Sequence, residues 1–148
     1  MSELITDIEQ DLKEARLAKD GERRDALSLL LSALRSAEKD LQRTLSDDEA
    51  LQVLQRERKK RVEAIDAFRA AGREEQAEAE ELELDVIEEF MPEQLSEDEI
   101  DEIVDDVIAE VGATSLRDLG RVMADVMPRV SGRADGSLVS QVVREKLA

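Results

Sequence analysis

Ser96-Glu97-Asp98-Glu99-Ile100-Asp101-Glu102-Ile103-Val104-Asp105-Asp106-Val107-Ile108-Ala109-Glu110-Val111-Gly112 decides the fold class. Its apolar positions 100, 103, 104, 107, 108 and 111 recur three or four residues apart, the period of one buried helix face. Ser96 with Glu99 three residues on is a capping box, in which the Ser oxygen and the Glu carboxylate each accept from a free amide of the first turn. Gly112 marks the other end, because glycine takes the left-handed backbone that closes a helix.

The same period runs outward in both directions. Leu4, Ile8, Leu12 and Ala15 predict a first helix that stops near Asp20-Gly21. Leu27, Leu30, Leu31, Leu34 and Leu41 predict a second. Ser46-Asp47-Asp48-Glu49 is another capping box. It opens a long third helix with Leu51, Leu54, Val62, Ile65 and Phe68, stopped at Gly72. Leu82, Val86, Ile87 and Phe90 predict a fourth, broken at Met91-Pro92 because proline disfavours a helical residue before it. After the quoted stretch, Ser115 can cap a sixth helix with Leu116, Leu119, Met123, Val126 and Met127, ended by Pro128. Leu138, Val139, Val142, Val143 and Leu147 predict a last one. No strand alternation appears. The expected fold is all-α: a long-helix N-terminal domain over 1–91, then a small three-helix domain over 92–148.

Composition excludes several chemistries. The 148 residues include no His, Cys, Trp or Tyr and only two Phe. There is no thiol nucleophile or thiolate metal site, and the commonest general base near neutral pH is missing. No segment approaches the roughly 20 apolar residues of a membrane span, and no signal peptide is apparent. The expectation is a cytoplasmic protein without membrane attachment, cofactor or metal. The acidic runs lie on predicted helices, which lack the turn geometry of a calcium loop.

The net charge of −17 is unevenly spread. Residues 74 to 89 and residues 92 to 116 each hold nine acids and no base. Residues 117 to 148 hold six bases and four acids. Arg56, Arg58, Lys59, Lys60 and Arg61 form a basic island that interrupts the apolar stripe from Gln55 to Arg61. The island can contact phosphates, or it can pair with the acidic fourth helix as an antiparallel neighbour. Its helix either projects beyond the core there or meets another molecule. Met123 and Met127, four apart, read as core or as an adaptable groove. The loop Gly132-Arg133-Ala134-Asp135-Gly136-Ser137 reads as an anion-holding helix start flanked by Arg129 and Arg133, or as a tight turn capped by Asp135 or Ser137.

Four separated motifs resemble the YqeY family. They are Ala64-Ile65-Asp66-Ala67-Phe68-Arg69-Ala70-Ala71-Gly72-Arg73, then Phe90-Met91-Pro92-Glu93-Gln94-Leu95-Ser96, then Leu119-Gly120-Arg121-Val122-Met123 with Val126-Met127-Pro128, and then Gly132 to Val139. The C-terminal third is similar to the tail domain of the B subunit of tRNA-dependent amidotransferases, with Arg133 in place of a Lys and Asp135 in place of an Asn. The resemblance implies an all-helical, non-catalytic module related to the part of the amidotransferase that contacts tRNA. Any glutamine-dependent carbon–nitrogen ligase label would come with the shared tail, since no segment resembles the phosphate-activating cradle or the amidase subunit. Candidate contacts to RNA phosphate are Arg121, Arg129, Gly132, Arg133, Gly136 and Arg144, with the island at 56–61 as a second set. The alternative partner is a basic protein facing the acidic stripe of residues 97 to 110 and the projecting third helix.

Overall fold

A computed structural model describes residues 2–148. Among them are seven α-helices, one 3₁₀ turn and no strand. The fold is all-α, as the spacing predicts. The chain divides into two compact units, Met1–Met91 and Pro92–Ala148.

The first unit holds α1 (Glu3–Leu17), α2 (Gly21–Leu41), α3 (Asp47–Ala70) and α4 (Glu74–Glu88). Its core takes Ile5, Ile8, Leu12 and Ala15 from α1 and Ala26, Leu27, Leu30 and Leu34 from α2. Ala50, Val53 and Leu54 of α3 and Val86 and Ile87 of α4 complete it with Leu45. Leu41, expected in the second stripe, is half exposed because α2 ends there. Ser2 caps α1 by accepting from the Leu4 amide at 3.1 Å, and its hydroxyl donates to Asp47 at the start of α3. That hydroxyl and the Leu4 amide hold the Asp47 carboxyl below its ordinary pKa, so the starts of α1 and α3 are tied by one charge-assisted pair.

The Ser46 capping box forms as the sequence predicts, with Glu49 donating its amide to Ser46 Oγ at 3.2 Å and accepting from the Ser46 amide at 3.1 Å. Arg43 adds two guanidinium bonds to the same carboxylate, at 2.8 and 2.7 Å. These donors, Arg43 first, lower the Glu49 pKa from 4.5 to about 2. A depressed carboxylate pKa stabilises the fold above the unfolded value and loses that contribution as pH falls through the folded one. An NMR titration of the Glu49 carboxyl should therefore give a midpoint near pH 2, and Arg43→Ala should move it upward. The stability contributed by Glu49 should fade between pH 4.5 and 2, and Glu49→Gln should remove that part of the acid dependence. A wild-type midpoint near 4.5 would contradict the arrangement.

The second unit holds α5 (Glu97–Val111), the 3₁₀ turn (Leu116–Asp118), α6 (Leu119–Val130) and α7 (Gly136–Leu147). Its core is mostly valine: Ile100, Val104 and Val107, then Val122, Val126 and Val130, then Val139, Val143 and Leu147, with Ala134 from the loop. β-branched residues are mediocre helix formers but stiff, so burying them loses little side-chain freedom. Met123 and Met127 pack against this core. The Ser96 capping box forms, and Gly112 ends α5 at φ +66°.

Two boundaries differ from the sequence expectation. Pro128 lies inside α6, which continues to Val130. A proline forfeits the bond to the carbonyl four residues back, here that of exposed Ala124 in the last turns of the helix, where little helix remains to disrupt. Ser115 caps the 3₁₀ turn through a box with Asp118, and α6 starts only at Leu119.

Candidate nucleic-acid interface

The loop between α6 and α7 is held from behind. Gln94 Nε2 donates to the Gly132 carbonyl at 2.9 Å and to the Pro92 carbonyl at 3.0 Å. The Leu95 amide donates to the Arg133 carbonyl at 2.8 Å. The junction motif at 92–96 and the glycine loop at 132–136 are therefore one clamped structure, which their separation in sequence hides. Gly132 takes φ +74°, a backbone conformation that disfavours a side chain. At the start of α7, the Asp135 carboxylate accepts from the Ser137 amide at 3.1 Å. Its negative charge stands where an anion at this helix start would sit, so the geometry favours the capped turn over an anion cradle.

The cations sort by partner. Arg129 donates to Glu110 at the end of α5 at 2.5 Å, which holds its guanidinium above the usual pKa. Arg121 pairs with Asp118 at 3.1 Å. Lys146 pairs with Asp105 at 3.0 Å and with Asp101 at 3.9 Å. Half of the six bases in the positive C-terminal segment are thus neutralised by acids of α5 and the 3₁₀ turn. Arg117, Arg133 and Arg144 have no carboxylate within 4 Å among the described residues, although the charge of Arg133 helps lower the Glu99 pKa behind the Ser96 amide and hydroxyl. Arg117 is not among the sequence-derived candidates, because the family motifs begin two residues later at Leu119.

The six sequence candidates do not form one cluster. Eight residues of α6 separate Arg121 from Arg129, and eight of α7 separate Gly136 from Arg144, about 12 Å in each case at 1.5 Å per residue. Arg129, Gly132, Arg133 and Gly136 lie around the α6–α7 loop. Arg144 lies at the opposite end of α7, where it lines a shallow groove of about 510 Å³ with Leu116, Leu119, Glu145 and Ala148. It also lines a second shallow groove along α7 with Gly136, Ser137, Ser140, Gln141 and Glu145.

The second candidate set is turned partly inward. Arg58 Nε donates to Glu88 at 3.1 Å, and Arg61 bonds Glu83 at 2.6 Å and Glu80 at 3.3 Å. Burial disfavours the Arg61 charge, but the bond to Glu83 and the fields of Glu80, Glu83 and Glu57 outweigh it and raise the pKa. Lys60 pairs with Glu57 at 3.3 Å. The island and the acidic fourth helix are antiparallel partners for Arg58 and Arg61, while Arg56 and Lys59 stay on the exposed side of α3. Among the described residues no group of three acids converges as metal ligands, and no helix is long and apolar enough to cross a membrane.

Comparison with known proteins agrees with the motifs. The family model described as Yqey-like protein matches residues 5–147. The chain is 29% identical over 141 residues to the Altered inheritance of mitochondria protein 41, mitochondrial, of Pyrenophora tritici-repentis, covering 93% of this chain and 77% of that protein. It is 29% identical over 149 residues to the E-type subunit of the glutamyl-tRNA(Gln) amidotransferase of Thermococcus gammatolerans. That match covers 97% of this chain, well beyond the C-terminal third in which the sequence placed the amidotransferase likeness, but only 24% of the Thermococcus protein. With the family model spanning both units and all four motifs inside it, the chain belongs to the YqeY-like protein family.

Proposed function

We propose that this chain is a non-catalytic helical module that contacts the backbone of tRNA, in a cytoplasmic setting, as a free-standing relative of an amidotransferase part. The observation that carries the reading is the likeness of nearly the whole chain to an amidotransferase component named for glutamyl-tRNA(Gln). Arg144, Arg133 and Arg117, which lack ion-pair partners, are the first-choice phosphate contacts, and Arg121 and Arg129 can join them only by leaving Asp118 and Glu110. Guanidinium groups on phosphate position a nucleic acid without reading its bases. A role as accessory to carbon–nitrogen ligase activity would follow from the same contacts.

Titration of fluorescently labelled bulk tRNA tests this. Three phosphate contacts release counterions, so affinity should fall about 20- to 40-fold between 50 and 200 mM salt. Absence of binding at the lower salt would remove the proposal.

A further inference from the structure

The α3–α4 pair extends past the core of its unit. α3 has 24 residues, about 36 Å of helix. Its first half is anchored through Ala50, Val53 and Leu54, and α4 returns to the same core at Val86 and Ile87. Past Leu54 the two helices hold one another through Arg58–Glu88, Arg61–Glu83 and Arg69 with Glu74 and Glu81. Ile65 and Ala77 are buried there, yet neither belongs to the core built with α1 and α2.

One side of this arm is an open groove of about 450 Å³. Val62, Ile65 and Leu84 form its apolar floor, and Asp66, Glu81 and Asp85 rim it. The α3 residues facing it, 62, 65, 66 and 69, follow the i, i+3, i+4, i+7 rule, and 81, 84 and 85 of α4 do the same. This is the surface that two helices of a three-helix bundle present to the third. Its charge is one-sided. Among the described residues lining the groove, Arg69 is the one base, and Glu74 and Glu81 already engage it. Asp66 and Asp85 have no ion-pair partner among the described residues.

We propose that the arm groove docks a basic amphipathic helix of a partner protein. Leucine-type side chains of that helix would fill the floor over Val62, Ile65 and Leu84, and flanking Lys or Arg would meet Asp66 and Asp85. Helix-in-groove docking of this kind reads an apolar stripe at helical spacing. RNA and anionic lipid are repelled by the same acids. The first-choice tRNA contacts proposed above, Arg117, Arg133 and Arg144, belong to the other unit, so the two proposals can fail separately.

The test titrates the isotope-labelled full chain with a synthetic Leu/Lys amphipathic helical peptide and with its Leu/Glu counterpart. The Leu/Lys peptide should bind, with chemical-shift changes concentrated at residues 62–69 and 81–85, and the Leu/Glu peptide should not. Asp66→Lys/Asp85→Lys should weaken binding about tenfold or more, the loss of two charge pairs at a partly desolvated site. Asp7→Lys/Asp40→Lys carries the same net charge at exposed positions of α1 and α2 that do not line the groove and should leave binding near the wild-type value. Val62→Glu, which spoils the floor without touching the rim acids, should also weaken it. No binding, equal losses in both double variants, or shifts spread over every acidic face would each overturn the proposal.

Discussion

Val126→Asp is expected to unfold the Pro92–Ala148 unit while the Met1–Met91 unit keeps its structure. Val126 is fully buried in the middle of α6, among Val104, Val122, Val139 and the rest of the valine core. No base belongs to that buried cluster, so the new carboxylate would have no ion-pair partner within it. Burying an unpaired charged or polar group costs several kcal/mol, on the order of the whole stability of a unit this small. In a labelled-amide NMR spectrum the resonances of 92–148 should collapse toward random-coil positions and those of 2–91 should persist. Simultaneous collapse of both sets would show that the two units fold as one.

Leu34→Ala is the reciprocal case. Leu34 is fully buried on α2 at the heart of the first unit. Removing its side chain leaves a cavity among packed aliphatic neighbours, worth about 2–5 kcal/mol. In a domain of this size that lowers the midpoint of thermal unfolding by about 10 °C or more. The loss should appear only in the transition that reports α1 to α4, with the α5 to α7 transition unmoved. A shift of both transitions by the same amount would contradict independent unfolding.

The helices were legible because their signals are local. The boxes at Ser46 and Ser96 form between residues three apart, and the stripes of α1, α5 and α7 need only a period. Pro128 and Ser115 depart from the spacing rules for an equally local reason: a proline near a helix end removes only one interior bond, and a Ser–Asp box can open a 3₁₀ turn as well as an α-helix. The candidate interface was less legible, because ion pairing is decided across helices. Arg129 meets Glu110 and Lys146 meets Asp105 only after α5, α6 and α7 pack, so the positive count over 117–148 overstated the charge left for a ligand. The clamp between Gln94 and Gly132 joins residues 38 positions apart, which no spacing rule could pair. The arm, by contrast, was foreshadowed by the break in the apolar stripe between Gln55 and Arg61.

Charge on the second unit therefore separates two kinds of arginine. Reversing an already paired one mainly disturbs its carboxylate partner, and exposed pairs of this kind contribute little to stability. If tRNA binds as proposed, reversing an unpaired one should remove a phosphate contact and add repulsion. The decisive measurement is the affinity of labelled bulk tRNA at low salt for wild type, Arg117→Glu/Arg133→Glu/Arg144→Glu and Arg121→Glu/Arg129→Glu. Backbone contact through the unpaired arginines predicts tight, salt-sensitive binding by wild type, the largest loss in the triple variant and a smaller one in the double. Wild-type binding that the triple variant retains, or no wild-type binding at all, would contradict it.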